Sequence, residues 1–234
     1  TCRNPKNYPS ISFELIKCDI LNNKDINTTV EYIINKEKKI DVLINNVGIG
    51  ITGPIEETKQ EDVIQAFKTN CFGPLEITKK CIPCMRNNRK GLIINITSLL
   101  GYFGNSYRGI YSATKSSMEM IGETLNMELR SFNIKVVNIA PGDFKTDIIS
   151  RRIKPSIDKN SVYFEDYQNS IKKANNHVNN ASSPKIIAEL VYKIILCKNP
   201  KIHYRVGKFI QKFSIVLKKF LPEKIFEKLL IRYS

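Results

Sequence analysis

The chain has 234 residues, of which 42% are hydrophobic, and this is enough to bury the core of one large domain. Its net charge of +15 does not indicate nucleic-acid binding, because no recognition motif and no alternation of aromatic and basic residues accompany it. No run of about 18 apolar residues predicts a membrane-spanning helix, and the six scattered cysteines predict free thiols in a cytoplasmic protein without a metal site.

Hydrophobic patterns predict alternating strands and helices along most of the chain. A strand is predicted over 12–20, and a helix follows that Asn22 or Asn23 caps and whose apolar stripe includes Ile26 and Val30. Further strands are predicted over 41–47, 91–98, 134–140 and 201–206, and further helices over 61–69, 70–87, 111–131 and 183–197. This alternation predicts an α/β fold, a doubly wound parallel sheet with helices on both faces.

Polar residues and glycines follow the predicted strands at their carboxyl ends. Asp19, the segment 45–48, Ser98 and the pair Pro141–Gly142 each occupy such a position. Ligands of open parallel sheets bind outside the carboxyl ends of the strands. We therefore expect these residues to meet at one edge of the sheet and to form a binding site.

Tyr111 and Lys115 lie four residues apart on a predicted helix, and therefore on the same face. An ammonium group beside a phenol favours the phenolate and lowers the pKa of tyrosine, which is ordinarily about 10. Such a tyrosine can exchange a proton with a hydroxyl or carbonyl oxygen, and Ser98 can reach the same oxygen. The three residues predict a proton-transfer site, although this spacing of Tyr and Lys also occurs by chance on many helices.

Five motifs in the correct order make the sequence resemble the classical short-chain dehydrogenase/reductase (SDR) family. The segment Asn45-Asn46-Val47-Gly48 matches the family's Asn-Asn-Ala-Gly motif, and Tyr111-x-x-x-Lys115 matches its signature. The resemblance implies a Rossmann-type domain. It also implies an NAD(P)-dependent oxidoreductase that interconverts a carbonyl and a secondary or primary alcohol by hydride transfer.

The resemblance also implies a role for each matched residue. Tyr111 is expected to be the general acid/base, and Lys115 is expected to hold the nicotinamide ribose and to lower the pKa of the tyrosine. Ser98 is expected to orient the substrate oxygen, and Asn70 is expected to support a water path to Lys115. The expected cofactor-binding residues are Arg3, Asp19, Ile20, Asn46, Val47, Gly48, Tyr111, Lys115, Pro141, Gly142 and Thr146. Arg3 favours NADP(H) over NAD(H), since a basic residue at this position accommodates a 2′-phosphate.

One family motif is absent from the sequence. The loop Thr-Gly-x-x-x-Gly-x-Gly, which by resemblance cradles the cofactor pyrophosphate, does not occur. The Rossmann-type domain over residues 1–207 is therefore expected to be truncated at its amino end by a strand–helix–strand unit. Within this domain, the polar residues 146–182 are expected by resemblance to form a mobile lid over the substrate.

Residues 208–234 predict two basic amphipathic helices. Phe209, Phe213, Val216 and Phe220 recur at helical spacing among lysines. Three alternatives remain for this stripe: it covers the cleft or packs on another subunit, it lies on an anionic membrane surface, or it is solvated. The tail resembles those of hydroxysteroid and retinol dehydrogenase-like members, which implies an apolar alcohol or ketone as substrate.

The resemblance further implies a homodimer or homotetramer. Its interface is expected on the helices over 70–87 and 111–131, with Phe72, Leu75 and Met118 facing outward. Two other functions are considered. A non-catalytic binding or scaffold protein would not need the complete set of four predicted catalytic residues. A relative that acts on nucleotide sugars would need a larger substrate domain after Gly142 than the chain provides.

Overall fold

The computed structural model describes residues 1–8 and 12–233. Its helices are α1 (Asn23–Glu37), α2 (Gln60–Phe67), α3 (Gly73–Asn87), α4 (Gly109–Glu128), α5 (Phe164–Asn179), α6 (Lys185–Leu196), α7 (Phe209–Phe220) and α8 (Glu223–Tyr233). Its strands are β1 (Val42–Asn45), β2 (Gly91–Ile96), β3 (Ile134–Pro141) and β4 (His203–Val206). No helix within the described ranges is long and apolar enough to cross a membrane.

The four strands form one parallel sheet in the order β1-β2-β3-β4. The apolar side chains of β2 and β3 alternate between the two faces: Ile93 and Val136 pack with α1 and α3, whereas Ile94 and Val137 pack with α6. A sheet covered on both faces needs such continuous apolar strands. The predicted α/β fold is therefore confirmed.

A row of buried asparagines crosses the sheet at one level. Asn45, Asn95 and Asn138 are register partners in β1, β2 and β3. The side-chain amide of Asn45 donates to Asn95 Oδ1 at 2.9 Å, and that of Asn95 donates to Asn138 Oδ1 at 2.9 Å. The amide of Asn138 then donates to the carbonyl oxygen of Glu119 at 2.9 Å, which links the row to α4. These bonds fix α4 relative to three strand ends.

The prediction of a strand over 12–20 is wrong. In this segment a single parallel bridge joins Lys17 to Cys2, and the backbone amide of Cys18 donates to Cys2 O at 2.9 Å. Phe13, which the pattern placed in the core, is 64% exposed. A strand requires a hydrogen-bonding neighbour along its length, and among the described residues only Cys2 provides one.

The helices over 61–69 and 70–87 do not separate where the sequence pattern divided them. The chain passes from α2 into α3 through a π-helical turn, Lys68–Phe72, without leaving a helical conformation. A π-helical turn inserts one extra residue and so re-aims the side chains that it carries. Asn70 lies in this turn.

Helix α5 is an element that the sequence analysis missed. It occupies the region predicted as a polar lid, and its inner side carries Tyr167, Ile171, Ala174 and Val178. The spacing of these four residues is helical and was available in the sequence, but the many polar residues between them obscured it.

The predicted outward position of Met118 is also wrong. Met118 is 5% exposed because it lies on the buried side of α4, whereas Met120 on the same helix is 54% exposed. Phe72 is 51% exposed, as the interface prediction required.

Helices α7 and α8 pack against the segments that follow β2 and β3. Ile215 and Phe226 are buried, and they contact a cluster that includes Leu99, Phe103 and Ala140. Of the three alternatives for the stripe, the structure does not show it covering the cleft: Phe209, Phe213, Val216 and Phe220 are all exposed. Helix α7 is apolar on two sides, and its inner side carries Ile210, Ser214 and Leu217.

We expect Gly122→Ala to destabilise the protein, because α4 touches β3 at this glycine. A Cβ at this position would overlap the buried side-chain amide of Asn138. Overpacking of this kind costs about 1–3 kcal/mol, which urea unfolding would measure. Gly104→Ala is the matched control, since nothing lies within 4 Å of its added Cβ. Equal stability of the two variants would show that α4 and β3 can separate without cost.

Candidate active site

A cavity of about 1060 Å³ opens at the carboxyl ends of β1, β2 and β3. Its walls are formed by the loops after the strands, by the start of α4 and by the inner sides of α5 to α8. Of the predicted site residues, the lining includes Asn46, Gly48, Ser98, Tyr111, Lys115, Pro141, Gly142 and Thr146. The structure therefore brings together the residues of four separate sequence motifs.

Five predicted residues do not line this cavity: Arg3, Asp19, Ile20, Val47 and Asn70. Arg3 is exposed, and Val47 is 46% exposed. Ile20 packs against Gly73 at the start of α3. Asp19 accepts a hydrogen bond from the backbone amide of Leu21 at 3.0 Å.

Ser98 and Tyr111 lie on the same wall of the cavity, close enough for the Ser98 hydroxyl to act on the pKa of the Tyr111 phenol. Ser98 follows β2 with extended backbone, and its hydroxyl caps a 3₁₀ turn by accepting from the Leu100 amide at 3.2 Å. Burial raises the pKa of Tyr111, while the hydrogen bond from Ser98 and the charges of Arg108 and Arg152 oppose this rise. The pKa of Tyr111 is thus raised rather than lowered as expected, and the effect of Lys115 on it stays a prediction.

Lys115 is directed toward the backbone of β2. Its Nζ donates to Ile96 O at 3.0 Å and lies 5.9 Å from the centre of the Tyr111 ring. Burial lowers the pKa of Lys115 to about 8, and the carboxylate of Glu119 one turn along α4 opposes this effect. A Cβ on Gly48 would lie 3.3 Å from Nζ, so the glycine leaves the ammonium group accessible from the cavity.

Asn70 lies behind the cavity wall, with 1% of its surface exposed. Its side chain accepts from the Ile49 amide at 2.8 Å and donates to Ile49 O at 2.9 Å and to Thr114 Oγ1 at 3.1 Å. The π-helical turn aims it at this loop. Asn70 thus ties the loop after β1 to α4 at Thr114, the residue before Lys115.

The sequence analysis missed a buried polar network around Glu119. Its carboxylate accepts hydrogen bonds from Thr97, from Tyr102 OH at 3.1 Å and from the Asn138 amide at 3.1 Å. His203 Nδ1 lies 3.1 Å from the same carboxylate. Burial and the Glu119 charge raise the pKa of Tyr102 to about 12. The available signal was the position of Glu119, one turn after Lys115 on the same face of α4.

Arg108 and Arg152 were also missed. Both line the cavity and both act on the pKa of Tyr111. Arg108 precedes Tyr111 by three residues, which is a signal in the sequence. Arg152 lies forty-one positions after Tyr111, and only the folded chain brings it near.

The described residues define an α/β protein with a cavity at the carboxyl edge of a parallel sheet, where Ser98, Tyr111 and Lys115 meet. They contain no group of three or more His, Cys, Asp or Glu that could hold a metal ion. A family model for short chain dehydrogenases matches residues 2–155. The chain belongs to the classical short-chain dehydrogenase/reductase family of oxidoreductases.

Individual relatives agree with this assignment. A 3-ketodihydrosphingosine reductase of Bacteroides thetaiotaomicron is 35% identical over 214 residues, which cover 91% of this chain and 80% of that protein. Retinol dehydrogenase 8 of Bos taurus is 30% identical over 72% of this chain and 56% of its own length. The crystal structure of a short-chain dehydrogenase from Streptomyces avermitilis has a TM-score of 0.75 at 23% identity, over 94% of this chain and 82% of that chain.

We expect the buried ammonium group of Lys115 to give stability a distinct pH dependence. Between its folded pKa of about 8 and its ordinary pKa of 10.5, the unfolded chain binds the extra proton, so stability rises with pH in this window. Lys115→Met should remove this rise in the free energy of unfolding, which amounts to about 3 kcal/mol over the whole window. Urea unfolding at several pH values from 7 to about 10.5 would measure the difference.

The exposed Lys173 of α5 provides the matched control. The Lys173→Met variant should follow the pH profile of the wild type. If Lys115→Met also follows it, the ammonium group of Lys115 is not desolvated as the structure indicates.

Proposed function

We propose that the protein is an NAD(P)-dependent oxidoreductase that interconverts an apolar, long-chain ketone and its alcohol. The observation that carries this proposal is the meeting of Ser98 and Tyr111 on the wall of a large cavity, with the Lys115 ammonium group buried beside them. Membership of the SDR family supports the reaction class.

Tyr111 acts as the general acid and base in this proposal. In reduction it donates its phenolic proton to the carbonyl oxygen, and in oxidation it takes the proton back. Ser98 donates a hydrogen bond to the same oxygen and polarises the carbonyl. Burial of Lys115 keeps its pKa near 8, so that both protonation states are accessible when the tyrosine is reprotonated.

A nicotinamide nucleotide fits the residues on one side of the cavity. Gly48 leaves open the space that a side chain would fill near Lys115 Nζ. Asn46, Gly48, Lys115, the pair Pro141–Gly142 and Thr146 would hold the nucleotide. When bound, it supplies or accepts the hydride.

We propose NADP(H) rather than NAD(H) as the preferred form. Arg3 is exposed and follows Cys2, which the backbone bridge places beside Lys17. A basic side chain in this position can neutralise the 2′-phosphate that distinguishes NADP from NAD.

The cavity wall supports a long-chain substrate. Helices α7 and α8 contribute an apolar surface that consists of Ile210, Leu217, Phe226, Leu229 and Leu230. The relative from Bacteroides is named for a long-chain ketone, and the bovine relative for an apolar alcohol. Apolar surface on this scale favours an aliphatic chain through the hydrophobic effect.

The first test is Tyr111→Phe, assayed on long-chain ketones with NADPH and with NADH. Removing the phenolic proton should lower kcat by at least about 100-fold and leave cofactor binding, measured by fluorescence titration, intact. The wild type should bind NADPH more tightly than NADH. Tyr192→Phe on the exposed side of α6 is the matched control and should retain full activity.

Cofactor binding distinguishes the enzyme from a non-catalytic scaffold. A wild-type protein that binds neither nucleotide and turns over no ketone would refute the enzymatic proposal. Full activity of Tyr111→Phe would refute the role of the tyrosine alone.

We further propose that the outer side of α7 and α8 contacts an anionic membrane surface, which makes the protein cytoplasmic and peripherally membrane-associated. Phe209 and Phe213 are exposed with their rings stacked 5.6 Å apart, and Phe220 is 81% exposed. Exposed lysines surround this apolar surface: Lys208, Lys219, Lys224 and Lys228. Apolar rings flanked by basic residues are typical of helices that lie in the headgroup region of a bilayer. The same helices line the cavity, so a lipid-like substrate could enter directly from the membrane.

Exposed residues at the start of α3 and on α4, Phe72 in the π-helical turn and Met120, support a separate proposal of a homodimer or homotetramer. An exposed apolar patch of this kind favours association between copies of the chain.

The variant with Phe209, Phe213 and Phe220 changed to Ser should bind anionic vesicles at least about 10-fold more weakly than the wild type, because three apolar anchors are lost. Co-sedimentation with phosphatidylserine-containing and with purely zwitterionic vesicles would measure this. The matched control changes Ile186, Tyr192 and Leu196, which are exposed on α6. Equal binding by both triple variants would contradict the membrane proposal, as would binding that is indifferent to lipid charge.

A further inference from the structure

The cavity carries more positive charge than the proposed reaction uses. Seven charged side chains line it, five of them cationic and two anionic: Arg108, Lys115, Arg151, Arg152, Arg232, Asp143 and Asp147. Arg151 and Asp147 form an ion pair at 3.5 Å. Without this ion pair and without Lys115, which is proposed to contact the cofactor, three arginines and one acid remain: Arg108, Arg152, Arg232 and Asp143.

Arg152 is the least explained of these cations. It is 8% exposed, and its guanidinium donates to Asn175 Oδ1 on α5 at 3.0 Å. No carboxylate of the described residues lies within ion-pair distance of it. Buried charges are ordinarily paired, because desolvation without a counter-ion is costly.

Arg108 adds a second unpaired guanidinium to the same wall. It precedes Tyr111 by one helical turn and also has no carboxylate within ion-pair distance among the described residues. Burial, followed by the charge of Arg108, lowers the pKa of Arg152 to about 10, so the two cations lie close enough to repel one another. An anion bound between them would offset both the cost of burying the two charges and their mutual repulsion.

Asp143 is the remaining acid on this wall, and it does not neutralise the pair. One of its carboxylate oxygens accepts a hydrogen bond from Gln211 Nε2 at 2.6 Å, which directs it toward α7. Its charge reaches both arginines without forming an ion pair with either. Two cations against one acid leave the wall beside Tyr111 positive.

We infer that Arg108 and Arg152 bind an anionic group of the substrate, so that the preferred substrate is a long-chain ketone with a carboxylate or phosphate a few bonds from its carbonyl. This inference rests on the proposed function and specifies its substrate class. Guanidinium groups bind both anions through paired, charge-assisted hydrogen bonds. The same wall disfavours a cationic head group, such as the ammonium of 3-ketodihydrosphingosine.

The position of Arg152 favours the substrate over the cofactor as its ligand. Its side chain packs against Gly50, and the next residue pairs with the loop after β1, where Ile153 N donates to Gly50 O at 2.9 Å. Lys115, by contrast, faces Gly48 on the proposed cofactor side. Asn175 on α5, in the segment predicted to cover the substrate, holds the guanidinium in place.

The test compares ketones of equal chain length with different head groups: neutral, carboxylate, phosphate and cationic, the last being 3-ketodihydrosphingosine. The wild type should show a kcat/KM for an anionic ketone at least about 10-fold above that for the neutral one. The carboxylate and phosphate arms identify the natural anion. Arg108→Gln and Arg152→Gln should each lower this preference by about 10-fold or more.

Two further variants complete the design. Arg152→Lys should recover part of the preference, because it keeps the charge without the paired hydrogen bonds. Arg130→Gln removes one positive charge from an exposed site far from the cavity and should leave the preference unchanged. If Arg152→Gln does not fold, Arg108→Gln, whose side chain is only half-buried, provides the same comparison.

The outcomes separate this inference from the proposed function. Turnover of neutral and anionic ketones at equal efficiency would overturn the inference alone, and turnover of no ketone with either cofactor would overturn the proposed function. A loss of NADPH affinity that matches the loss of preference would assign the arginines to the cofactor and overturn the inference. Calorimetry with dodecyl phosphate tests the subsite without turnover: binding by the wild type that Arg108→Gln weakens supports it, and equal binding refutes it.

Discussion

The site depends on a chain of buried hydrogen bonds that runs across the sheet and into α4. Asn45, Asn95 and Asn138 hold three strands in one register, and the last of them also binds Glu119. A slip of one residue in any strand would leave buried amides unpaired, at a cost of several kcal/mol. Ser98 lies just after the end of β2, and Tyr111 lies two turns before Glu119 on α4. The network therefore sets the distance between the two groups that are proposed to act on the substrate.

Burial shapes the electrostatics of this site more than direct pairing does. Lys115, Glu119 and Arg152 are each less than 9% exposed, yet only Glu119 has a complete set of hydrogen-bonding partners within the described chain. The ammonium of Lys115 bonds a single carbonyl, and its pKa falls to about 8 as a result of desolvation. Such a site is arranged to receive charged ligands, since an ion that enters it is stabilised in a low dielectric. The two unpaired arginines follow the same logic on the substrate side.

Helix α7 shows how one short element can serve two surfaces. Its inner side closes the cavity with Ile210 and Leu217, and its outer side presents Phe209, Phe213 and Phe220 to the surroundings. Each side has helical spacing, so periodicity alone could not decide which one the protein covers. That choice depends on Leu99, Phe103 and Ala140, which lie more than sixty residues earlier in the chain and form the surface that receives Ile215.

The sequence alone determined the parallel α/β fold, the family and the meeting of Ser98, Tyr111 and Lys115, because these follow from local periodicity and from motifs at strand ends. Tertiary structure decided what depends on distant neighbours. The segment 12–20 has a strand pattern but lacks a partner along its length, and Tyr111 has a raised pKa because burial outweighs its nearby cations. Arg152 reaches the site only through the path of the chain after β3. Hydrogen-bond partners and desolvation are properties of the packed molecule, and no pattern within one segment specifies them.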